Sequence, residues 1–190
     1  QSLFIPLTVG GGVRSVDDFR ELLRAGADRV AINSAALEDP QLIRHTAAEF
    51  GVQAVVVACD AKHHGDAWRV VTRSGTAPHH IDAIAWCRKA AELGAGEILL
   101  TAIDRDGAQN GFDIELLRRA TSAASIGVIA SGGAGTPQHF VAAIERGGAS
   151  AVLGASTFHD RIFGIADVKA ALVERGIPVR VSLPVERSAA

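Results

Sequence analysis

The feature that most constrains the fold of this chain is an internal repeat built around two glycine-rich turns. Residues 8–36 read TVGGGVRSVDDFRELLRAGADRVAINSAA, and residues 130–158 read ASGGAGTPQHFVAAIERGGASAVLGASTF. With one constant offset, the matched residues are Gly11, Gly12 and Phe19 in the first copy and Gly132, Gly133 and Phe140 in the second. Near Gly147 the offset grows by one residue, after which the matches are Ala27, Ser34 and Ala35 with Ala149, Ser156 and Thr157. A fixed-order repeat at this distance predicts two structurally equivalent quarters of one symmetric fold.

The glycine turns themselves allow two interpretations. A glycine backbone between a strand and a helix lets amide N–H groups approach a phosphate, but a short glycine motif is also common as a flexible turn. Each copy has the order apolar strand, glycine turn, amphipathic helix and second short strand, ending at Asn33-Ser34 or Ala155-Ser156. Two equivalent anion pockets would suit a substrate that carries two phosphates.

Six short runs rich in Val, Ile or Leu predict strands that are buried on both faces, as in a parallel sheet. The predicted strands are Phe4–Val9, Asp28–Asn33, Gln53–Asp60, Glu97–Ile103, Ile126–Ala130 and Ala151–Ala155. The predicted helices are Val16 to Gly26, Asp39 or Pro40 to Phe50, Ile81–Leu93, Asp113 to about Ala123, Pro137–Arg146 and Ile165–Arg175. Ser15 and Asp18 form a predicted capping box at the first helix. Residues 61–75 form a predicted hairpin lid that turns at Gly65-Asp66 and returns along Trp68 to Thr72.

Successive βα units fit either a doubly wound open sheet or a (β/α)8 barrel, and the repeat favours the barrel. The units counted here cannot close eight strands, and a strand-like segment opens the chain. We therefore expect the chain to contain the third to eighth units of a barrel, with two further units before Gln1. We interpret residues 1–181 as one barrel domain and residues 182–190 as a loose tail.

Composition excludes several classes of function. The formal net charge is −2 and the sequence lacks a long basic run, so nucleic-acid binding is disfavoured. The apolar runs fall far short of the roughly 20 residues that a membrane span needs, so we expect a cytosolic protein. Cys59 and Cys87 have no metal-type spacing and are predicted to be free buried thiols.

Acidic and hydroxyl side chains follow two predicted strands at the face where barrel enzymes place their active sites. Asp60 ends the run AVVVACD, where apolar surroundings can raise its pKa and make it a general acid or base; a helix cap or a lysine partner is the alternative. The end of the next strand places Thr101, Asp104 and Asp106 at the same face; we assign substrate hydroxyl binding to Asp106 and leave the role of Asp104 open. The pairs His63-His64 and His79-His80 lie in loop sequence, and we predict no metal site and no cofactor. At the opposite face, Arg29 and Glu97 are predicted surface charges or a salt bridge.

Several motifs in order resemble the cyclase subunit of imidazole glycerol phosphate synthase, a histidine biosynthesis family. They are TVGGGVRS, GADRVAIN, QAVVVACDAK, GAGEILLTAIDRDG, IASGGAG and STFH. The sibling aldose-ketose isomerase of the pathway shares the two phosphate motifs, whereas VVVACDAK with its hairpin and GEILLTAIDRDG look like the cyclase. The isomerase and a non-catalytic phosphate-binding barrel fragment remain the alternatives.

The resemblance implies a glutaminase partner that supplies ammonia, and a bisphosphorylated ribulosyl-formimino-aminoimidazole carboxamide ribonucleotide as substrate. It implies Asp60 as one of two catalytic aspartates, the other belonging to the first barrel strand. The resemblance implies phosphate binding by Gly11, Gly12, Asn33, Ser34, Gly132, Gly133, Ala155 and Ser156, and we add Thr101, Asp106 and Ser131 as candidate substrate-binding residues. The resemblance also implies that Arg29 and Glu97 gate the ammonia entrance and that Asp28 lies near the contact with the glutaminase. Because the first two units are not in this sequence, we expect the chain alone to lack full activity and to expose its outer strand edges.

Overall fold

The computed structural model describes residues 5–72 and 77–180 and contains alternating strands and helices. The strands are β1 (Thr8–Gly10), β2 (Arg29–Ile32), β3 (Val55–His64), β4 (Ala67–Thr72), β5 (Ala77–Asp82), β6 (Glu97–Ala102), β7 (Gly127–Ser131) and β8 (Ala151–Val152). The helices are α1 (Val16–Arg24), α2 (Ser34–Glu38), α3 (Gln41–Phe50), α4 (Ala83–Leu93), α5 (Ile114–Ala123), α6 (Pro137–Glu145), α7 (Ser156–His159) and α8 (Ile165–Glu174). A 3₁₀ helix, Val52–Ala54, precedes β3.

The main sheet is parallel and has the order β1-β2-β3-β6-β7-β8. Strands β4 and β5 extend it as an antiparallel excursion from the end of β3. Within the described parts of the chain, β1 and β8 each pair with a single strand and form the two edges of this sheet. The order confirms the predicted fold class, a partial (β/α)8 barrel whose parallel strands alternate with covering helices.

The core lies between the strands and their helices. Val55, Val56 and Val57 in β3 are all almost completely buried, as expected for a strand that is covered on both faces. Helix α1 begins at the predicted capping box, in which the Ser15 hydroxyl accepts from the Asp18 amide and the Asp18 side chain accepts in return. Cys59 and Cys87 are both buried and free, as predicted.

The predicted bounds of the two outer strands were too long. Pairing of β1 with β2 begins at Thr8 and Arg29, and the amide of Leu7 instead donates to the Asp28 carboxylate at 2.7 Å. The predicted strand Phe4–Val9 is therefore limited to Thr8–Gly10 among the described residues, and Phe4 lies outside them. Strand β8 extends only over Ala151–Val152. Just beyond it Gly154 is closely packed, since an added carbon there would lie 2.9 Å from the Phe140 ring and 3.0 Å from the Phe158 ring.

Two further elements differ from the predictions. Ile81 and Asp82 belong to β5 and not to a helix; α4 starts at Ala83, with the Asp82 side chain capping the Ala85 amide at 2.9 Å. The predicted hairpin thus has a third strand. The short helices α2 and α7, which begin at the second residue of the terminal pair in each copy of the repeat, were not predicted.

The predicted tail, residues 182–190, lies outside the described residues, and the single-domain boundary at 181 stays a prediction. Across residues 5–72 and 77–180, none of the helices has the length and apolar character that a membrane crossing requires.

Candidate active site

The candidate active site is built on a row of polar residues across three adjacent strands. Asp60 in β3 lies opposite Thr101 in β6, and Thr101 lies opposite Ser131 in β7. Antiparallel pairing of β3 with β4 starts at Asp60, one residue before its parallel pairing with β6 ends at Ala61, so the carboxylate stands where the hairpin begins. The row places the predicted catalytic residue and two predicted substrate contacts next to one another at the carboxyl ends of their strands.

Asp60 is half-buried, and its surroundings act on its charge in opposite directions. Burial raises the pKa of the Asp60 carboxyl, and the neighbouring Asp106 carboxylate raises it further. The Asn33 amide, which donates to the carboxylate, and the Thr101 hydroxyl on the next strand both lower the pKa, but they only partly offset the burial. The result is a pKa above the ordinary value, in the direction expected from the sequence, which favours a role in proton transfer.

The side-chain amide of Asn33 has one atom hydrogen-bonded to Asp60 and one atom without a partner among the described residues. Its Nδ2 donates to Asp60 Oδ2 at 3.1 Å. Its Oδ1 is buried and has no hydrogen-bond partner among the described residues. Because a buried polar atom without a partner costs free energy, this oxygen is ready to accept a hydrogen bond from a bound ligand.

The first glycine turn, residues 10–14, shares one cavity with this pair. The cavity has a volume of about 980 Å³. The predicted site residues that line it are Gly11, Gly12, Asn33, Ser34 and Asp60. Arg14 and Ala35 also line it, and the sequence analysis did not select them, although both fall within the repeated motif. The cavity therefore brings the predicted acid or base together with a glycine turn, a cationic side chain and the start of α2.

The second glycine turn, residues 131–135, does not line this cavity and is packed differently. The amide of Gly111 donates to the carbonyl of Gly133 at 2.8 Å, which ties the turn to the loop after β6. A methyl group on Gly132 would lie 2.7 Å from the carbonyl oxygen of Ala102, and one on Gly133 would overlap the carbonyl oxygen of Gly111. Glycine is required here by close backbone packing, whereas an added carbon on Gly11 or Gly12 would meet no atom of the described residues within 4 Å.

The remaining predicted residues of the second phosphate position adjoin α7. Ala155 is exposed at the residue that precedes this helix, and Ser156 is half-buried in its first position. The corresponding residues of the first copy, Asn33 and Ser34, stand in the same relation to α2. The structure thus preserves the symmetry of the repeat down to the short helix that follows each second strand.

Asp104, whose role could not be assigned from the sequence, fastens the hairpin by a hydrogen bond. Its Oδ2 accepts from the backbone amide of His63 at 2.6 Å. The hairpin is also fastened through Trp68, whose Nε1 donates to Asp113 Oδ2 at 2.9 Å and whose ring lies 5.2 Å from the Arg119 guanidinium carbon. The predicted lid is therefore docked on the neighbouring βα unit. In the described part of the chain, no three His, Cys, Asp or Glu side chains come together as a metal site.

The charged residues predicted for the opposite face pair as expected. Arg29 Nη1 lies 2.6 Å from Glu97 Oε2, across the amino-terminal ends of β2 and β6, which confirms the predicted salt bridge. Asp28 accepts from the amide of Leu7 and so supports the start of β1. Leu7 precedes β1 and Val52 precedes β3, and both are exposed apolar side chains near this end of the sheet.

Comparison with known proteins gives consistent matches over most of the chain. The family model described as "Histidine biosynthesis protein" matches residues 1–164. The chain is 54% identical over 181 residues to "Imidazole glycerol phosphate synthase subunit HisF" of Dehalococcoides mccartyi, an alignment that covers 95% of this chain and 72% of the relative. The proteins of the same name from Hyphomonas neptunium and Metallosphaera sedula are 55% and 51% identical, over 95% and 94% of this chain and 71% of each relative. The chain therefore belongs to the histidine biosynthesis protein family, among the relatives of the HisF subunit of imidazole glycerol phosphate synthase.

Proposed function

We propose that the chain acts in the cyclase reaction of imidazole glycerol phosphate synthase. In this reaction ammonia attacks the bisphosphorylated ribulosyl-formimino-aminoimidazole carboxamide ribonucleotide. Cleavage and ring closure then give imidazole glycerol phosphate and aminoimidazole carboxamide ribonucleotide. Family membership and the names of the relatives at 51–55% identity support this assignment.

The observation that carries the proposal is the position of Asp60. It is a half-buried carboxyl with a raised pKa, in a cavity that also contains Gly11 and Gly12. The raised pKa lets the group hold a proton at a pH where an exposed aspartate would not, so it can donate and accept protons during ring closure. We assign Asp60 this acid–base role.

The two glycine turns are the proposed phosphate-binding sites. Gly11, Gly12, Asn33 and Ser34 would bind one phosphate group. Ser131, Gly132, Gly133, Ala155 and Ser156 would bind the other. The strand row from Asp60 through Thr101 to Ser131 supports this arrangement, because it joins the acid–base group to the second turn within adjacent strands. Asp106, whose charge acts on Asp60, would bind a substrate hydroxyl group.

A glutaminase subunit is the proposed partner, and its docking surface would be the amino-terminal ends of the strands. The Arg29–Glu97 pair is partly exposed there, and the side chains of Leu7 and Val52 provide apolar surface, 39% and 52% exposed. Asp28, Arg29 and Glu97 would contact the partner and gate ammonia. The proposal includes a cytoplasmic setting, which the two free thiols favour.

The test is ammonia-dependent release of aminoimidazole carboxamide ribonucleotide from the bisphosphorylated substrate. Asp60→Asn removes the proton-transferring group with little change in shape, so we expect the rate to fall by about 10²–10⁴-fold. Asp104→Asn is the matched control, since an amide oxygen can still accept from the His63 amide, and we expect it to retain the parental rate. An Asp60→Asn variant that also retains that rate would contradict the assignment.

The same assay separates the alternatives. Isomerisation of the aldose precursor without any need for ammonia would assign the chain to the sibling isomerase. Saturable binding of the bisphosphate without release of either product would identify a phosphate-binding module.

A further inference from the structure

Each glycine turn is tied by a side chain at the same place in the helix that follows it. In the first turn, Asp18 Oδ2 accepts from the backbone amides of Arg14 at 2.8 Å and Ser15 at 3.0 Å. In the second turn, His139 Nδ1 accepts from the backbone amide of Gly135 at 3.1 Å. The repeat alignment that matches Gly11 with Gly132 also matches Arg14 with Gly135 and Asp18 with His139. The same amide is therefore held in both turns, by an acidic side chain in one and by an imidazole in the other.

The second turn also lies between His139 and the loop after β6. The carbonyl of Gln109 occupies the space where a side chain on Gly135 would lie, so this position cannot carry a counterpart of Arg14. Gly111 in that loop donates to the carbonyl of Gly133, and the His139 ring lies beside Gly111. His139 thus holds one end of the turn while the loop holds its middle.

We propose that His139 is the positioning residue of the second phosphate-binding turn and that it acts through its Nδ1 acceptor. This inference rests on the proposed function, which makes the turn a phosphate site. When the bond to the Gly135 amide is present, the turn keeps one backbone conformation and presents its remaining amides to a phosphate group. When this hydrogen bond is lost, the turn must be ordered on ligand binding, and the free-energy cost of that ordering lowers the affinity for the ligand.

The experiment measures calorimetric affinities of the full chain for its two proposed products, imidazole glycerol phosphate and aminoimidazole carboxamide ribonucleotide, separately. Each product carries one phosphate, and under the proposed function we expect each to occupy one of the two turns. His139→Leu removes the acceptor, and we expect the affinity for one of the two products to fall about three- to tenfold, which corresponds to the loss of one net hydrogen bond. His139→Asn should restore that affinity, because its Oδ1 is as many bonds from Cβ as Nδ1. The matched variant in the first turn, Asp18→Leu, should lower only the affinity for the other product.

The other possible results distinguish a failure of the positioning role from a failure of the proposed function. If the parent chain binds both products and His139→Leu changes neither affinity, or weakens both equally, the positioning role is wrong while the proposed function stands. A failure of His139→Asn to restore the affinity also overturns the role of the Nδ1 acceptor. If the parent chain binds neither product, the proposed function fails and this inference fails with it.

Discussion

The different packing of the two glycine turns leads to a prediction about one matched pair of substitutions. Gly12 and Gly133 are equivalent in the repeat, and both have positive φ angles, 74° and 104°. A methyl group on Gly12 would meet no described atom within 4 Å, whereas one on Gly133 would overlap the carbonyl oxygen of Gly111. Gly12→Ala and Gly133→Ala should therefore have unequal effects on stability, although both change the same position of the same motif.

The expected magnitudes follow from these two environments. An alanine at positive φ costs about 1–2 kcal/mol, and the loss of chain entropy in the unfolded state returns about 0.4–1 kcal/mol. Gly12→Ala should therefore destabilise the fold by about 1 kcal/mol. Gly133→Ala carries the same backbone cost plus about 1–3 kcal/mol for overpacking, and it strains the bond from the Gly111 amide. We expect the two variants to differ by about 2–4 kcal/mol in the free energy of unfolding.

Urea unfolding monitored by circular dichroism measures this difference. Both variants should keep the parental slope, with Gly133→Ala showing the lower midpoint. Equal midpoints for the two variants would show that the loop after β6 does not confine the second turn, and the explanation for the glycine at position 133 would be wrong.

Three further predictions concern the carboxylate, the hairpin and the salt bridge. Burial raises the pKa of Asp60 above its unfolded value, so the charged carboxylate lowers stability at neutral pH, and this cost disappears as the pH falls through the folded pKa. Asp60→Asn should therefore stabilise the fold at pH 8 and have no effect near pH 3. Urea midpoints that differ from the parent equally at both pH values would contradict this. Trp68→Phe removes the hydrogen bond to Asp113 and should destabilise the fold by about 1–3 kcal/mol in urea unfolding, with no loss expected if the hairpin is not docked on α5. A double-mutant cycle on Arg29 and Glu97 should give less than about 1 kcal/mol of coupling, since both side chains are partly exposed, and a larger value would indicate a shielded pair.

Much of the fold could be predicted from the sequence because the strong signals are local. The valine-rich run before Asp60 and the capping box at Ser15 each specify an element without reference to distant residues. The ends of the outer strands could not be predicted in this way, because Thr8 is the first residue of β1 with a partner on β2. Strand β5 was missed for the same reason, since it forms by pairing with β4.

The candidate site was predictable in its residues and less so in its contacts. The position of Asp60 at the end of a buried strand was sufficient to predict its raised pKa. The role of Asp104 depends on a bond to His63 across two chain segments, which spacing alone does not reveal. The unequal packing of the two turns depends on a loop in which Gln109 has a φ of 54°, and a repeat in the sequence carries no information about such a contact.

The most direct test of the two-phosphate site is a titration of the isotopically labelled chain with the bisphosphorylated substrate in the absence of ammonia, followed by backbone amide NMR. We predict that the amides of Gly11 and Gly12 and those of Gly132 and Gly133 shift together in one saturable transition with a single Kd. Shifts confined to one turn, or two transitions with separate affinities, would contradict the proposal that one substrate molecule bridges both turns.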